Sequence, residues 1–297
     1  MDLTSPACNL YAPAPPPCLW LSRQAHLLPP RVQQQVGAWT ARYPLWEEAL
    51  ILDAAGAARL AAARFPALAP LLASLGTGVQ RSDLGRLLLL AAFGGVYVDV
   101  DASPVPGGDL GALLAAHAAA PALFFEEALL TPAAAAAAGR EHPIRGGRPE
   151  ARTRIANYFM ASTGADAAAA AASSSSSAAS ASAACRGAAV LRILEEVAAR
   201  VQQHPLLSPR DAEYEVLFTT GPDAVTEAVH ALMGWSLEGG DIVGTLALEP
   251  LAKGEILTAV RRGEGGGARC LGVVPRPLDQ RYFAHAAEGT WKGARSL

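Results

Sequence analysis

The chain reads as an α/β protein, with a mostly parallel Rossmann-type sheet and helices on both faces. Apolar residues recur at helical spacing in several separate stretches, and short β-branched or aromatic runs lie between them. Strand-like runs that alternate with helical stretches are the pattern of strands joined through crossover helices. A length of 297 residues gives room for one large domain with a sizeable core.

Residues 1–17 are rich in proline and alanine and read as a disordered lead-in to a single domain over 18–297. Arg31 to Arg64 reads as two helices, the first with Val32, Val36, Trp39 and Tyr43 on one stripe. Phe65-Pro66 and Pro70 interrupt the chain before a connecting segment to the next helix. From Asp83 to Ala92, Leu84, Leu87, Leu88 and Ala91 form one buried stripe, and Asp83 and Arg86 are neighbours on another face. Gly94-Gly95 ends this helix. Val96 to Val100 is a strand, closed by Pro104 and Pro106.

Leu110 to Ala118 is a short helix and Ala122 to Phe125 a strand. Residues 131–150 and 163–187 are insertions of alanine, serine, glycine and arginine, expected to be loops without function. From Ala188 the helical period returns, with Val190, Leu191, Leu194 and Val197 inside and Arg192, Glu195, Glu196 and Arg200 outside. Pro222 opens another helix that buries Val225, Val229 and Leu232. Asp241 to Leu246 and Leu271 to Val274 are the last strands expected.

Composition excludes some classes of function. A net charge of −3 without a basic block argues against nucleic acid as the main partner. Lys253 and Lys292 are the only lysines, and alanine is in excess, which points to coding bias. Cys8, Cys18, Cys185 and Cys270 show no Cys-x-x-Cys spacing, so no zinc site is expected. No apolar run is long enough to span a membrane, and no basic segment leads into an apolar one. No Asn-x-Ser/Thr sequon occurs.

The chemistry is concentrated between Arg81 and Asp101. Residues two apart on a strand point to the same side, so Asp99 and Asp101 are expected to converge on one ion. Mg²⁺ and Mn²⁺ take oxygen ligands and leave positions for phosphate oxygens. Such an ion neutralises charge developing on a departing nucleoside diphosphate. A bare Asp-x-Asp is in most chains a solvated turn or a helix cap. Here the apolar strand before it and the Asp83/Arg86 face favour a metal site.

Ser82-Asp83-Leu84-Gly85-Arg86, the leucine run and Gly94-Gly95-Val96-Tyr97-Val98-Asp99-Val100-Asp101 resemble the central motif of DXD-containing sugar transferases of the glycosyltransferase family 32 type. That group includes initiating α-1,6-mannosyltransferases, mannosyl-inositolphosphoceramide synthases and α-1,4-galactosyltransferases. Further similarities lie at Cys18 to Leu21, which resembles the family's first strand, and at Val36 to Thr40 with Tyr43 to Trp46. Others are Asn157 to Ser162, Thr219 to Pro222 with Val225-Thr226, and His285 with Thr290-Trp291.

The resemblance implies a GT-A-like fold and a retaining, metal-dependent hexosyltransferase. The donor would be GDP-mannose or a UDP-sugar, the acceptor a glycan or glycolipid and the ion Mn²⁺ or Mg²⁺. Asp83 and Arg86 would bond the donor sugar's hydroxyls, Asp99 would sit near ribose and metal, and Asp101 would ligate the metal. His285 would complete the metal shell or touch the diphosphate. Trp20 or Trp291 would line the donor pocket, with core packing as the alternative for each. Gly95 and Tyr97 belong to the same donor-binding motif, although Tyr97 also reads as core. The family's usual setting is the Golgi or another secretory membrane system, commonly through an N-terminal anchor, which is not visible here.

Two rival classes remain at the level of sequence. One is a HAD-type phosphotransferase with Asp99 as nucleophile, in which Asp83 and Arg86 have no task. The other is a non-catalytic sugar-binding relative, against which the intact acidic pair speaks.

Overall fold

The computed structural model describes residues 18–21, 30–44, 47–50, 54–99, 102–116, 122–130, 152–162, 188–203, 216, 219–233, 246–251, 256–261, 268–274 and 283–285. The expected lead-in at 1–17, both insertions, Asp101, Trp291 and most of the expected strand at Asp241 to Leu246 lie outside these residues.

The first half alternates as expected, with additions at 47–50, 69–74 and 102–104. Strand β1 (Cys18–Leu21) leads to helix α1 (Pro30–Arg42), which opens on a proline whose missing N–H costs a first turn nothing. A strand not foreseen, β2 (Glu47–Leu50), separates α1 from α2 (Ala54–Arg64). Its Glu-Glu-Ala-Leu sequence lacks the β-branched residues that mark a strand locally. Helices α3 (Ala69–Ser74) and α4 (Gly78–Phe93) follow, then β3 (Gly95–Val98), β4 (Ala102–Pro104), α5 (Leu110–Ala116) and β5 (Ala122–Leu130). The second half holds β6 (Arg152–Ser162), α6 (Ala188–Gln203), α7 (Pro222–Met233), β7 (Leu246–Leu251), β8 (Ile256–Arg261), β9 (Ala268–Val274) and β10 (Phe283–His285).

Eight strands form one sheet in the order β2-β1-β3-β6-β5-β9-β8-β7, and β10 pairs with β4 in a second. The α/β class holds, but the large sheet is mixed rather than mostly parallel. Among the described strands, β1 pairs parallel with β2 and β3, and β5 with β9. The pairings β3–β6, β5–β6, β7–β8 and β8–β9 are antiparallel. Crossover helices account for the parallel start. The short connections at 252–255 and 262–267 leave no room for a crossover and so join antiparallel neighbours.

Because β3 and β5 both run antiparallel to β6, their C-terminal ends point the same way. The chain therefore leaves the sheet at Leu130 and returns at Arg152 on the end that carries Asp99. It leaves β6 at Ser162, opposite Gly95 and Ala122, on the other end.

Helices cover both faces. Tyr97, Phe124, Ile155 and Met160 pack with apolar residues of α2, α3, α4, α6 and α7. The alternate positions Val96, Val98, Leu123, Phe125 and Phe159 pack with Trp39, Tyr43, Leu110, Leu113 and Leu114 on the α1 and α5 side, together with Phe283. The period-two alternation of each strand produces this division. Helix α4 departs from the single buried stripe expected of it: Asp83 through Phe93 are all buried. It lies against β3, β6, α2 and α6, so its polar residues are interior ones. Thr77 caps its start through Oγ1, which accepts from Gln80 N. At its end Gly94 (φ 71°) and Gly95 (φ 99°) take the left-handed region that glycine tolerates.

Candidate donor site at the end of strand β3

Helix α4 delivers Asp83 and Arg86 to the C-terminal end of β3, where α/β sheets bind ligands. The i, i+3 spacing makes them a pair, with Arg86 Nη2 at 2.8 Å from Asp83 Oδ1. Their exposures are 3% and 6%. Arg86 Nη1 donates to the Asn157 carbonyl at 2.6 Å and lies 3.4 Å from Asp99 Oδ1. Its guanidinium stacks over the Tyr97 ring, 4.8 Å from the centroid. The Tyr97 hydroxyl donates to the same Asp99 oxygen at 2.5 Å. Asp99 is the accessible member of this set, its side chain 24% exposed.

Two further residues complete the arrangement. Asn157 Nδ2 donates to Asp83 Oδ1 at 3.1 Å from the middle of β6. Thr220 Oγ1 donates to Asp83 Oδ2 at 2.9 Å from the turn that precedes α7. The same turn is keyed to α4 by Gln80 Nε2, which donates to Thr219 Oγ1 at 3.1 Å. Sequence similarity marked both segments without assigning either residue a role. The available signal was a polar residue inside an otherwise apolar strand, Asn157, and a Thr-Thr pair before a helix-opening proline.

One cation thus sits among two carboxylates. Burial pushes Asp83 up from the ordinary 3.8 to about 6, against the pull of the Arg86 charge and the Thr220 and Asn157 hydrogen bonds, while Asp99 adds to the rise. Burial also holds the Tyr97 phenol well above its ordinary range, so it stays protonated and donates to Asp99.

The strand expected to reach Val100 ends at Val98, and Ala102 N donates to the Asp99 carbonyl at 3.0 Å before β4 begins. Strand parity therefore puts Asp99 on the Tyr97 side but does not extend to Asp101. The backbone of His285 stands opposite Ala102 in the β10–β4 pairing, which brings the far end of the chain beside the acidic segment. Trp39 fixes this corner: its indole N–H donates to the Ala102 carbonyl at 2.8 Å and its ring stacks on Tyr43. Backbone pairing sets Trp20 level with Tyr97, and Gly95 opposite Ser162. The side chains of Trp20 and His285 are outside the described residues. Among the described residues no three His, Cys, Asp or Glu side chains gather in a metal-binding group, and no helix is long and apolar enough to cross a membrane.

Residues 29–107 match the family described as the glycosyltransferase sugar-binding region containing the DXD motif. The match runs from α1 through β4 and takes in Trp39, Asp83, Arg86, Tyr97, Asp99 and Asp101. Asn157, Thr220 and His285 lie beyond it. The solved structure of the PaToxG glycosyltransferase is similar at a TM-score of 0.40 and 14% identity, over 72% of this chain and 68% of that one. No curated protein matches the chain.

Proposed function

We propose that this chain is a metal-dependent glycosyltransferase of GT-A type, transferring a hexose from a nucleotide sugar to a glycan or glycolipid acceptor with retention. The observation that carries the reading is the buried Asp83–Arg86 pair joined to the part-exposed Asp99 at the C-terminal end of β3, within the residues that match the sugar-binding family. The arrangement is polar, acidic and open on the Asp99 side, as a site for a cation and a diphosphate requires.

Asp99 offers part-exposed carboxylate oxygens just past the end of β3, the ligand type that a hard divalent ion takes. Asp99, Asp101 and His285 are the residues that would hold Mn²⁺ or Mg²⁺. Such an ion supplies neutralisation of the phosphate charge as the nucleoside diphosphate departs. The other roles belong to the chain itself. Tyr97 and Arg86 converge on Asp99 Oδ1 and hold that carboxylate in one orientation. Asp83 and Arg86 would bond the donor sugar's hydroxyls. Tyr97 supports the donor pocket from beneath Arg86, together with Trp20 or Trp291, whereas Gly95 starts β3 at the opposite end of the sheet and has no place in it. Front-face displacement, in which the leaving diphosphate takes the acceptor's proton, is the retaining route that needs no carboxylate nucleophile.

The test is hydrolysis of GDP-mannose, UDP-galactose, UDP-glucose and UDP-N-acetylglucosamine with Mn²⁺ by the wild type and by Asp101→Ala. One donor is expected to be hydrolysed only with metal, and the variant to lose that turnover while unfolding at the same temperature. Full activity in the variant removes the metal assignment, and no turnover of any nucleotide sugar removes the function.

A further inference from the structure

We infer that Thr220 is a positioning residue of the donor site: its hydroxyl anchors Asp83 from a segment 137 residues away in sequence. The inference rests on the proposed function for its catalytic meaning, but its geometry stands independently. Asp83 is held from three elements at once. Arg86 on α4 and Asn157 on β6 both donate to Oδ1, and Thr220 donates to Oδ2. Thr220 is the donor that fixes the second oxygen, and therefore the rotation of the carboxylate about its Cβ–Cγ bond.

A structural duty does not account for the hydroxyl. Thr220 precedes α7 by two positions, and the hydroxyl's other contact is the Val216 carbonyl at 3.5 Å, beyond good hydrogen-bond length. The turn is held by backbone bonds, with Gly221 N donating to the Val216 carbonyl at 2.7 Å and Val225 N to the Gly221 carbonyl at 3.1 Å. The residue is fully buried, so water is not an alternative partner for the hydroxyl. The turn is further located by Gln80, which bonds Thr219, and by Thr226, whose hydroxyl accepts from Ile155 N at 2.8 Å on β6. Thr220 thus transmits the position of α7 to a carboxylate on α4.

The charged and titratable groups around Asp83 are Arg86 on its own helix and Tyr97 and Asp99 from β3 and its end; Asn157 and Thr220 add neutral donors. Removing the Thr220 donor leaves the ionised form of Asp83 with one bond fewer. A hydrogen bond to a charged group is equivalent to about one pH unit or more of proton affinity.

The experiment compares wild type, Thr220→Val, Thr220→Ala and Thr220→Ser, using the full chain labelled with ¹³C at aspartate carboxyls and Asp83→Asn to assign the resonance. The Asp83 midpoint is expected to rise by about one pH unit in the Val and Ala variants and to return toward wild type in the Ser variant. In parallel, hydrolysis of the four nucleotide sugars with Mn²⁺ is expected to fall about tenfold or more in the Val variant, through KM for the nucleotide sugar. Binding of the bare nucleoside diphosphate with Mn²⁺ is expected to stay within about twofold. An unmoved midpoint, or a Ser variant no better than Val, overturns the positioning role even if sugar is transferred. A moved midpoint in a protein that hydrolyses no nucleotide sugar leaves the Thr220–Asp83 link standing and overturns the function instead.

Discussion

Replacing Asp83 by asparagine is expected to change how the fold responds to pH, in a direction opposite to that of a carboxylate whose value is lowered by its ion pair. The folded-state value of Asp83 is raised from 3.8 to about 6, chiefly by burial. The folded protein therefore binds a proton at this site more tightly than the unfolded chain does. The resulting stabilisation is fully present below pH 3.8 and is lost as pH rises through 6. Integrated from about pH 4.5 to about pH 7.5, linkage gives a loss of about 2 kcal/mol, against a limit of about 3 kcal/mol for the full shift.

Other groups titrate over the same range, so the observable is the difference between wild type and Asp83→Asn. Urea unfolding at four pH values across that interval yields it. Wild type is expected to lose about 2 kcal/mol relative to the variant on going to the alkaline end. Losing one of the two carboxylates beside Arg86 lowers the stability of the variant at every pH, but the guanidinium itself adds no slope, because it stays charged throughout. A flat difference, or one of the opposite sign, would mean that Arg86, Thr220 and Asn157 outweigh burial and hold Asp83 as an ordinary ionised carboxylate.

Two other substitutions test the local geometry. Gly94→Ala places a side chain at φ 71°, ψ −155°, a region essentially reserved for glycine, and is expected to cost about 1–3 kcal/mol in urea unfolding; a neutral result would show that the α4–β3 joint relaxes freely. Tyr97→Phe keeps the ring under Arg86 and deletes the donor to Asp99. Calorimetry is expected to show about tenfold weaker binding of nucleoside diphosphate with Mn²⁺, and unchanged binding would remove Tyr97 from the site.

What could be read from the chain followed local rules, and what could not was set at long range. Asp83 and Arg86 were legible because helical spacing makes them neighbours whatever surrounds them. The helix end at Gly94-Gly95 was legible because a left-handed exit suits glycine. The surroundings of α4 were not, because its alanines and leucines fit one buried stripe as well as burial on every side. Strand direction was equally hidden: Val, Tyr and Phe favour a strand without saying whether the neighbour runs parallel. Asn157 and Thr220 meet Asp83 across 74 and 137 residues, a relation set by the sheet and α7 rather than by any local signal. The reach of β3 was overestimated because Val100 continues the alternation that the fold ends at Val98.

The two alanine-rich insertions are not equivalent once the direction of β6 is known. One interrupts the chain between Leu130 and Arg152, on the end of the sheet where Asp99 opens outward; the other begins after Ser162, on the opposite end. For a flexible loop, each doubling of length adds only about 0.6 kcal/mol of closure entropy. The two places differ. A change after Ser162 enters the chain at the end of the sheet away from Asp99, whereas a change between Leu130 and Arg152 enters at the end that carries it. The direction of one central strand therefore decides which of two similar insertions shares an end of the sheet with Asp99.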